Sequence, residues 1–238
     1  MRKPLLPLRA LLVTSSLFLG ACVIAITDDG ARFHTFSNYE SGPRIVGSGQ
    51  HATRAVEVAP FERFVSDGSW DVELEVVEGA TPALELSGDD NILDHVRIER
   101  DGGELRVRLE HGNYKMKHPL VVRGVTGTLD SVALEGSGDV RVRGLDGTRF
   151  SAGIYGSGDI ELAGKVADLN LEIAGSGAID AFGLRAENVR VEVNGSGEAH
   201  VTANATLNVE VNGSGEVAYR GQPNKHVTIA GSGEVYAD

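Results

Sequence analysis

Residues 131–144 read Ser-Val-Ala-Leu-Glu-Gly-Ser-Gly-Asp-Val-Arg-Val-Arg-Gly. Val132 alternates with Leu134 and Val140 with Val142, the period of two that marks strands with one face in a core. Between the two alternations lies a Gly-Ser-Gly triplet followed by one acid. The triplet recurs, beginning at Gly136, Gly156, Gly175, Gly195, Gly213 and Gly231, at intervals of 20, 19, 20, 18 and 18 residues. Each is preceded by an apolar pair: Ala152 and Ile154, Leu171 and Ile173, Val191 and Val193, Val209 and Val211, Val227 and Ile229. A second alternation follows, as in Ile160 with Leu162 and Ile179 with Ala181, and most units close on a further glycine, at Gly144, Gly164, Gly183 and Gly221. Glycine turns a backbone at no steric cost, so a recurring glycine marks a recurring corner.

A unit of about 19 residues with two or three short strands and two glycine corners has no room for a crossover helix. The economical solution is a coil. Coils stacked ~4.8 Å apart pair each strand with its equivalent and pile the inward Val, Ile and Leu into ladders. The sequence therefore predicts an all-β parallel β-helix or β-solenoid with coils of 18–20 residues. The competing arrangement is an antiparallel sandwich with a hairpin at every triplet. Six units with the same order of corner, acid and apolar pair favour the coil, because a solenoid requires that equivalence and a sandwich does not.

Outside the triplets, residues 53–122 also alternate, as in Val72, Leu74 and Val76, and Asp101-Gly102-Gly103 is a hairpin signal. This part is expected to form early strands and an N-terminal cover, with the repeat coils over 123–238. Composition agrees with a folded domain rather than a tail: 41% of the 238 residues are apolar and 24% charged. The 34 acids against 22 basic residues leave a net charge of -12, which disfavours a phosphate-neutralising nucleic-acid surface. With one cysteine, neither a disulfide framework nor a multi-cysteine metal site is available.

The N-terminus reads as an address. Arg2 and Lys3 precede a largely apolar run, Ala10 to Leu19, and then Leu19-Gly20-Ala21-Cys22. Ten residues make about 15 Å of helix, too short for the ~30 Å hydrocarbon core. The Leu-small-Ala-Cys ending resembles the bacterial lipobox, which implies a signal peptide over 1–21, lipid on Cys22 and an exported lipoprotein. Val23 rather than aspartate after the cysteine implies forwarding to the outer membrane. Without Arg2, Lys3 and Arg9 the mature chain carries 19 basic and 34 acidic residues, a net of -15, suited to a domain held off an anionic membrane by its lipid. Residues 22–52, polar and containing Gly47-Ser48-Gly49, are expected to be a flexible tether.

Phe61 to Phe64, Gly68 with Asp71 to Leu74, the stretch Gly88-Asp89-Asp90-Asn91-Ile92-Leu93, Gly103 to Leu105 and the Gly-Ser-Gly turns together resemble the head GIN domain. The resemblance spans about residues 53–238. It implies a right-handed, helix-like all-β fold in bacterial envelope lipoproteins and secreted proteins labelled as auto-transporter adhesins, and it supplies no reaction. No outer-membrane barrel pattern follows the repeats.

The residue after each triplet reads Asp139, Asp159, Ala178, Glu198, Glu216, Glu234. In stacked coils five carboxylates would form a stripe broken at Ala178, either a site for Ca²⁺ or a polyhydroxylated sugar or, the blander expectation, a solvated corner that discourages aggregation. The six triplet serines lack the strand-to-helix setting and histidine partner of a nucleophile and are expected to bond neighbouring backbone through their hydroxyls. Asn194 and Asn212 are expected to form a two-rung ladder, and Asp89 and Asp90 to form turns. No pattern calls for a cofactor, and the seven histidines lack metal spacing. The sequence thus predicts a non-enzymatic envelope module presenting a rigid β-helical surface, with a polysaccharide or an envelope protein as ligand. The alternatives are a polysaccharide lyase or hydrolase using the carboxylate stripe, and an assembly module that oligomerises through an open C-terminal coil.

Overall fold

Each glycine triplet turns a corner of a continuous coil in the computed structural model, which describes residues 44–238 and the backbone of 23–27 and 30–34. The expected signal peptide and the expected lipidation site, Cys22, lie outside the described residues. The chain divides into two units, Met1–Ser41 and Gly42–Asp238. In the first, β1 (Val23–Thr27) and β2 (Gly30–His34) form an antiparallel pair.

The second unit opens with β3 (Arg44–Val46), β4 (His51–Glu57), β5 (Arg63–Gly68), β6 (Asp71–Val76), β7 (Ala83–Asp89) and a single helical turn, α1 (Asp90–Leu93). Then come β8 (Val96–Asp101), β9 (Glu104–Leu109), β10 (Asn113–Lys115), β11 (Val121–Thr126) and β12 (Ser131–Gly136). Four long strands bend through whole coils: β13 (Asp139–Gly156), β14 (Asp159–Gly175), β15 (Ala178–Gly195) and β16 (Glu198–Gly213). β17 (Glu216–Arg220), β18 (Asn224–Gly231) and β19 (Glu234–Ala237) complete the stack.

Every coil-to-coil pairing from β12 to β19 is parallel, which excludes the sandwich. The register is the one the repeat dictates. Phe64, Val132, Ala152, Leu171, Val191 and Val209 form one buried ladder; Val72, Val140, Ile160, Ile179, Ala199 and Val217 form another. Each large aliphatic rung removed from water stabilises the stack by about 1.5–3 kcal/mol. The unequal intervals of 18 to 20 residues are absorbed on the third side of the coil, where the register slips between Val142 and Leu145, Glu161 and Ala163, and Ala181 and Arg185.

The triplets are glycine for reasons of space. Gly156 has φ +155°, and a Cβ there would stand 2.0 Å from the carbonyl oxygen of Gly136 in the coil below. Gly177, at the third position, has no unusual φ, yet its Cβ would lie 2.1 Å from the Gly158 carbonyl oxygen. Between them, the backbone N–H groups of Ser157, Ser176, Ser196, Ser214 and Ser232 donate to the glycine carbonyl one coil below at 2.8–3.0 Å. The serine hydroxyls were expected to make such bonds. They stand exposed instead, with Ser69 and Ser137 hydroxyls 3.2 Å apart.

The earliest strands stack out of chain order. β9 lies under β5 and β11 under β6, both parallel, so the coil made by 104–126 sits below the coil made by 63–76. After it, the chain passes to the far side of 63–76, where β12 pairs with β5 and β13 with β6. Gly68-Ser69-Trp70 is thus an earlier corner in register with Gly136-Ser137, with Trp70 in place of the third glycine. A large residue fits there because the segment beneath is 110–120, which carries β10, rather than another triplet, and the indole is buried. The 101–104 hairpin forms as expected, and β8, β7 and β4 add antiparallel strands at this end.

The expected tether is too long. β3 pairs with β10, β4 pairs with β7, and Gly47 to Gly49 bind into the body, so residues 44–52 belong to the folded unit.

Two substitutions test the stacking. Gly177→Ala should lower stability by at least about 1–3 kcal/mol, as measured by urea unfolding, whereas Gly147→Ala, whose Cβ would meet nothing closer than 4.0 Å, should not. Val191→Asp or Val209→Asp should abolish the folded state in circular dichroism by placing an unpaired charge in the ladder.

Candidate functional site

The carboxylate stripe forms in the predicted register. Asp139 pairs with Asp159, Asp159 with Ala178, Ala178 with Glu198, Glu198 with Glu216 and Glu216 with Glu234. Asp71 extends it by one coil, since its Oδ1 accepts from the Asp139 N–H at 3.4 Å. Asp159 does the same for the Ala178 N–H at 3.0 Å, while in the glutamate coils the N–H groups of Glu198, Glu216 and Glu234 donate to glycine carbonyls at 3.1 Å. The short aspartate reaches its neighbour's backbone; the longer glutamate projects into solvent. At Ala178 the missing side chain leaves an open depression of about 270 Å³ lined by Asp139, Asp159, Glu161, Asp180, Arg141 and His200. Among the described residues no group of three or more His, Cys, Asp or Glu side chains is arranged to hold a metal ion.

Asn212 donates to Asn194 Oδ1 at 3.0 Å, which makes the two-rung ladder. Beside it the next face over carries a stacked pair, Phe182 and His200, with ring centroids 5.0 Å apart and planes 8° apart, and Arg220 places its guanidinium 3.8 Å over Phe182.

Asp89, expected to form a turn, is a fully buried carboxylate. Its Oδ2 accepts from the backbone N–H groups of Lys117 at 2.7 Å and His118 at 3.0 Å, and its Oδ1 from Gly49 at 2.9 Å. The carboxylate occupies the space a Cβ on Gly47 would need, 2.1 Å from Oδ2. One side chain thereby clasps the 47–50 segment and the 113–118 loop to α1. Burial pushes the carboxyl up, but the three N–H donors outweigh it and hold it below the ordinary carboxylate range. A buried, perturbed carboxylate often marks a functional site. Here every bond goes to the protein's own backbone, and the group is structural. Asp90, beside it, accepts from the Ser48 hydroxyl. The spacing of Gly47, Asp89 and Lys117 along the chain gives no sequence signal of this contact.

Four further perturbed groups, Glu99, Arg106, Arg108 and Glu110, lie on ion pairs near the surface. Glu110 is held below its usual range by hydrogen bonds from His95 and then Arg97, and Arg106 is raised chiefly by its two-pronged contact with Glu135 at 2.6 and 3.2 Å. No described helix is long and apolar enough to cross a membrane.

The stacked coils, the corner triplets and the matched segment define the family. The chain belongs to the family described as "Putative auto-transporter adhesin, head GIN domain", whose pattern matches residues 60–223. Two solved structures share the fold. One, a "putative adhesin" from Bacteroides fragilis NCTC 9343, is 21% identical and aligns over 82% of this chain and 100% of its own at a TM-score of 0.67. Another, a "putative lipid binding protein" from Parabacteroides distasonis ATCC 8503, is 23% identical over 82% of this chain and 100% of its own, at a TM-score of 0.52. No curated protein matches the chain.

Asp89→Ala should leave buried N–H groups without an acceptor and lower stability by about 1–3 kcal/mol. Because the folded-state pKa is depressed, the stabilisation Asp89 supplies is present above its ordinary value of 3.8 and lost as pH falls through the folded value. The urea midpoint of the native chain should therefore drop as pH is lowered below about 4, and the drop should be shallower in Asp89→Ala. Glu216→Gln, by contrast, should leave the midpoint unchanged.

Proposed function

We propose that this protein is a non-catalytic binding module of the bacterial cell envelope, held to the outer membrane by lipid on Cys22 and presenting one flat face of its solenoid to a polysaccharide or envelope-protein ligand. The observation that supports this most is the regularity of the face formed by the first strand of each coil. From β12 to β18 it runs without an inserted loop, and its outward residues line up in columns: Ser131, Ser151, Asn170, Arg190, Asn208 and His226 in one, Glu172, Glu192 and Glu210 in the next. Such a face is rigid before it meets a ligand, so little ordering entropy is lost on binding. Membership of the adhesin-head family and the names of the two structural relatives support the same reading.

The enzymatic alternative has less support. Carboxylates one coil apart, ~4.8 Å, approach the spacing of a retaining glycosidase pair, but those enzymes hold the scissile bond between their acids. The stripe here runs along an exposed corner with the depression at Ala178 open to solvent. A second reading, assembly, is supported by the outermost described coil, which exposes Val227, Ile229 and Tyr236 at 39–41%. Pairing of β18 with β18 of a second copy would relate the two about a two-fold axis.

Incubation of the protein with envelope and host polysaccharides, scored both for retention of the glycan and for new chain ends, should give retention without new ends. New ends would overturn the module reading. Cys22→Ser should release the protein from the membrane fraction, and sedimentation over a range of concentrations should reveal a dimer if β18 pairs in this way and a monomer throughout if it does not.

A further inference from the structure

Among the described residues, Tyr155 is the one tyrosine on the strands that precede the triplets, and it is held in an unusual way. Large aromatic side chains on a solvated strand normally stand off the sheet; this one lies down. A Cβ built on Gly153 would come within 3.2 Å of the Tyr155 ring, so the bare backbone at 153 gives the ring room to lie close to the sheet. At the other end the Tyr155 hydroxyl donates to Glu172 Oε2, one coil along, at 3.0 Å. Burial first, and then that bond, push the phenol above its ordinary pKa, so it stays protonated and a donor. The ring is tethered through its hydroxyl, lies against the backbone at Gly153 and is still 45% exposed.

Beside the ring is an open depression of about 300 Å³. Its floor is small, with Ser131, Ala133 and Ser151 in two adjacent coils, and its far wall is polar, with Asn170, Arg190 and Glu192. Three coil spacings separate Ser131 from Arg190, about 14 Å. Within that length lie an apolar plate, an amide that can donate and accept, a guanidinium and carboxylates.

The combination matches the two sides of a pyranose. One face of the ring is a sheet of C–H bonds, weakly positive, which suits the negative face of an aromatic ring; its rim is hydroxyls, each both donor and acceptor. The local charge narrows the class. Arg190 lies 3.8 Å from Glu192 and 4.0 Å from Glu210, and Glu135 is engaged by Arg106, so the free balance around Tyr155 is negative. A polyanionic glycan would be repelled.

Resting on the reading of this face as a binding surface, we propose that Tyr155 is the stacking platform of a subsite for neutral saccharides, with Asn170, Arg190 and Glu192 bonding the sugar hydroxyls. The platform is preorganised to the extent that Glu172 holds the hydroxyl and Gly153 leaves room for the ring before a ligand arrives.

The test is calorimetric titration of the full-length protein with neutral hexasaccharides (cello-, malto- and manno-series) and with oligogalacturonate as the acidic comparison. Neutral oligomers should bind and the acidic one should not. Tyr155→Ala should weaken neutral binding about tenfold or more, while Tyr155→Phe, which keeps the plate and loses only its tether to Glu172, should retain most of it. Tyr236→Ala, an exposed aromatic elsewhere, should change nothing. Equal unfolding temperatures across the variants would show that no loss comes from misfolding. Saturable binding that survives Tyr155→Ala, or preference for the acidic oligomer, would overturn the subsite and leave the module reading standing. Absence of binding to all three neutral series would also overturn it, and retention of other envelope material by the same protein would separate that result from failure of the module reading.

Discussion

No side chain fits between the corners of successive coils, and the rest of the fold follows from that. Where Gly156 sits over Gly136 and Gly177 over Gly158, carbonyl oxygens occupy the space a Cβ would need. The backbones approach closely enough for each serine N–H to bond across. The corner fixes register: once Gly156 lies over Gly136, Ala152 must lie over Val132 and Ile160 over Val140. A slip of one residue would turn every inward Val and Ile to solvent. The glycine count, about 13% of the chain, reflects a backbone contact repeated coil after coil.

The same constraint shapes what the surface can do. With corners and two strands locked, variation in coil length is confined to the third side, and the face before the triplets stays flat. Function on such a scaffold has to come from side chains arranged in columns. Tyr155 shows how: a glycine one column away, at Gly153, makes room, and a glutamate one coil away, at Glu172, supplies the tether. The corner stripe is more uniform, and two of its aspartates, Asp71 and Asp159, are occupied with backbone N–H groups.

The repeat made the solenoid, its register, the carboxylate column and the asparagine ladder legible, because each depends on residues 18 to 20 apart that share a visible pattern. What escaped depends on single contacts between unlike segments. Asp89 and its partners at Gly49, Lys117 and His118 are separated by 28 to 40 residues and share no motif. Gly68-Ser69-Trp70 is a corner that lost its third glycine where no triplet lies beneath it. The out-of-order coil 104–126 could not be read at all, since alternation identifies a strand without saying which neighbour it chooses. The serine hydroxyls were misassigned because spacing marks the corner without telling the side chain from the main chain. Gly47-Ser48-Gly49 looked like a tether and is held in place by the Asp89 carboxylate.

The most direct test of the stacking is a cross-link between rungs. Asn194 and Asn212 are paired across adjacent coils with side chains in contact. In a Cys22→Ser background, the double variant Asn194→Cys, Asn212→Cys should close a disulfide under mild oxidation without loss of thermal stability, because paired parallel strands place Cα atoms within the range such a bond requires. If both thiols stay free in the folded protein, residues 194 and 212 are not stacked and the coil account is wrong.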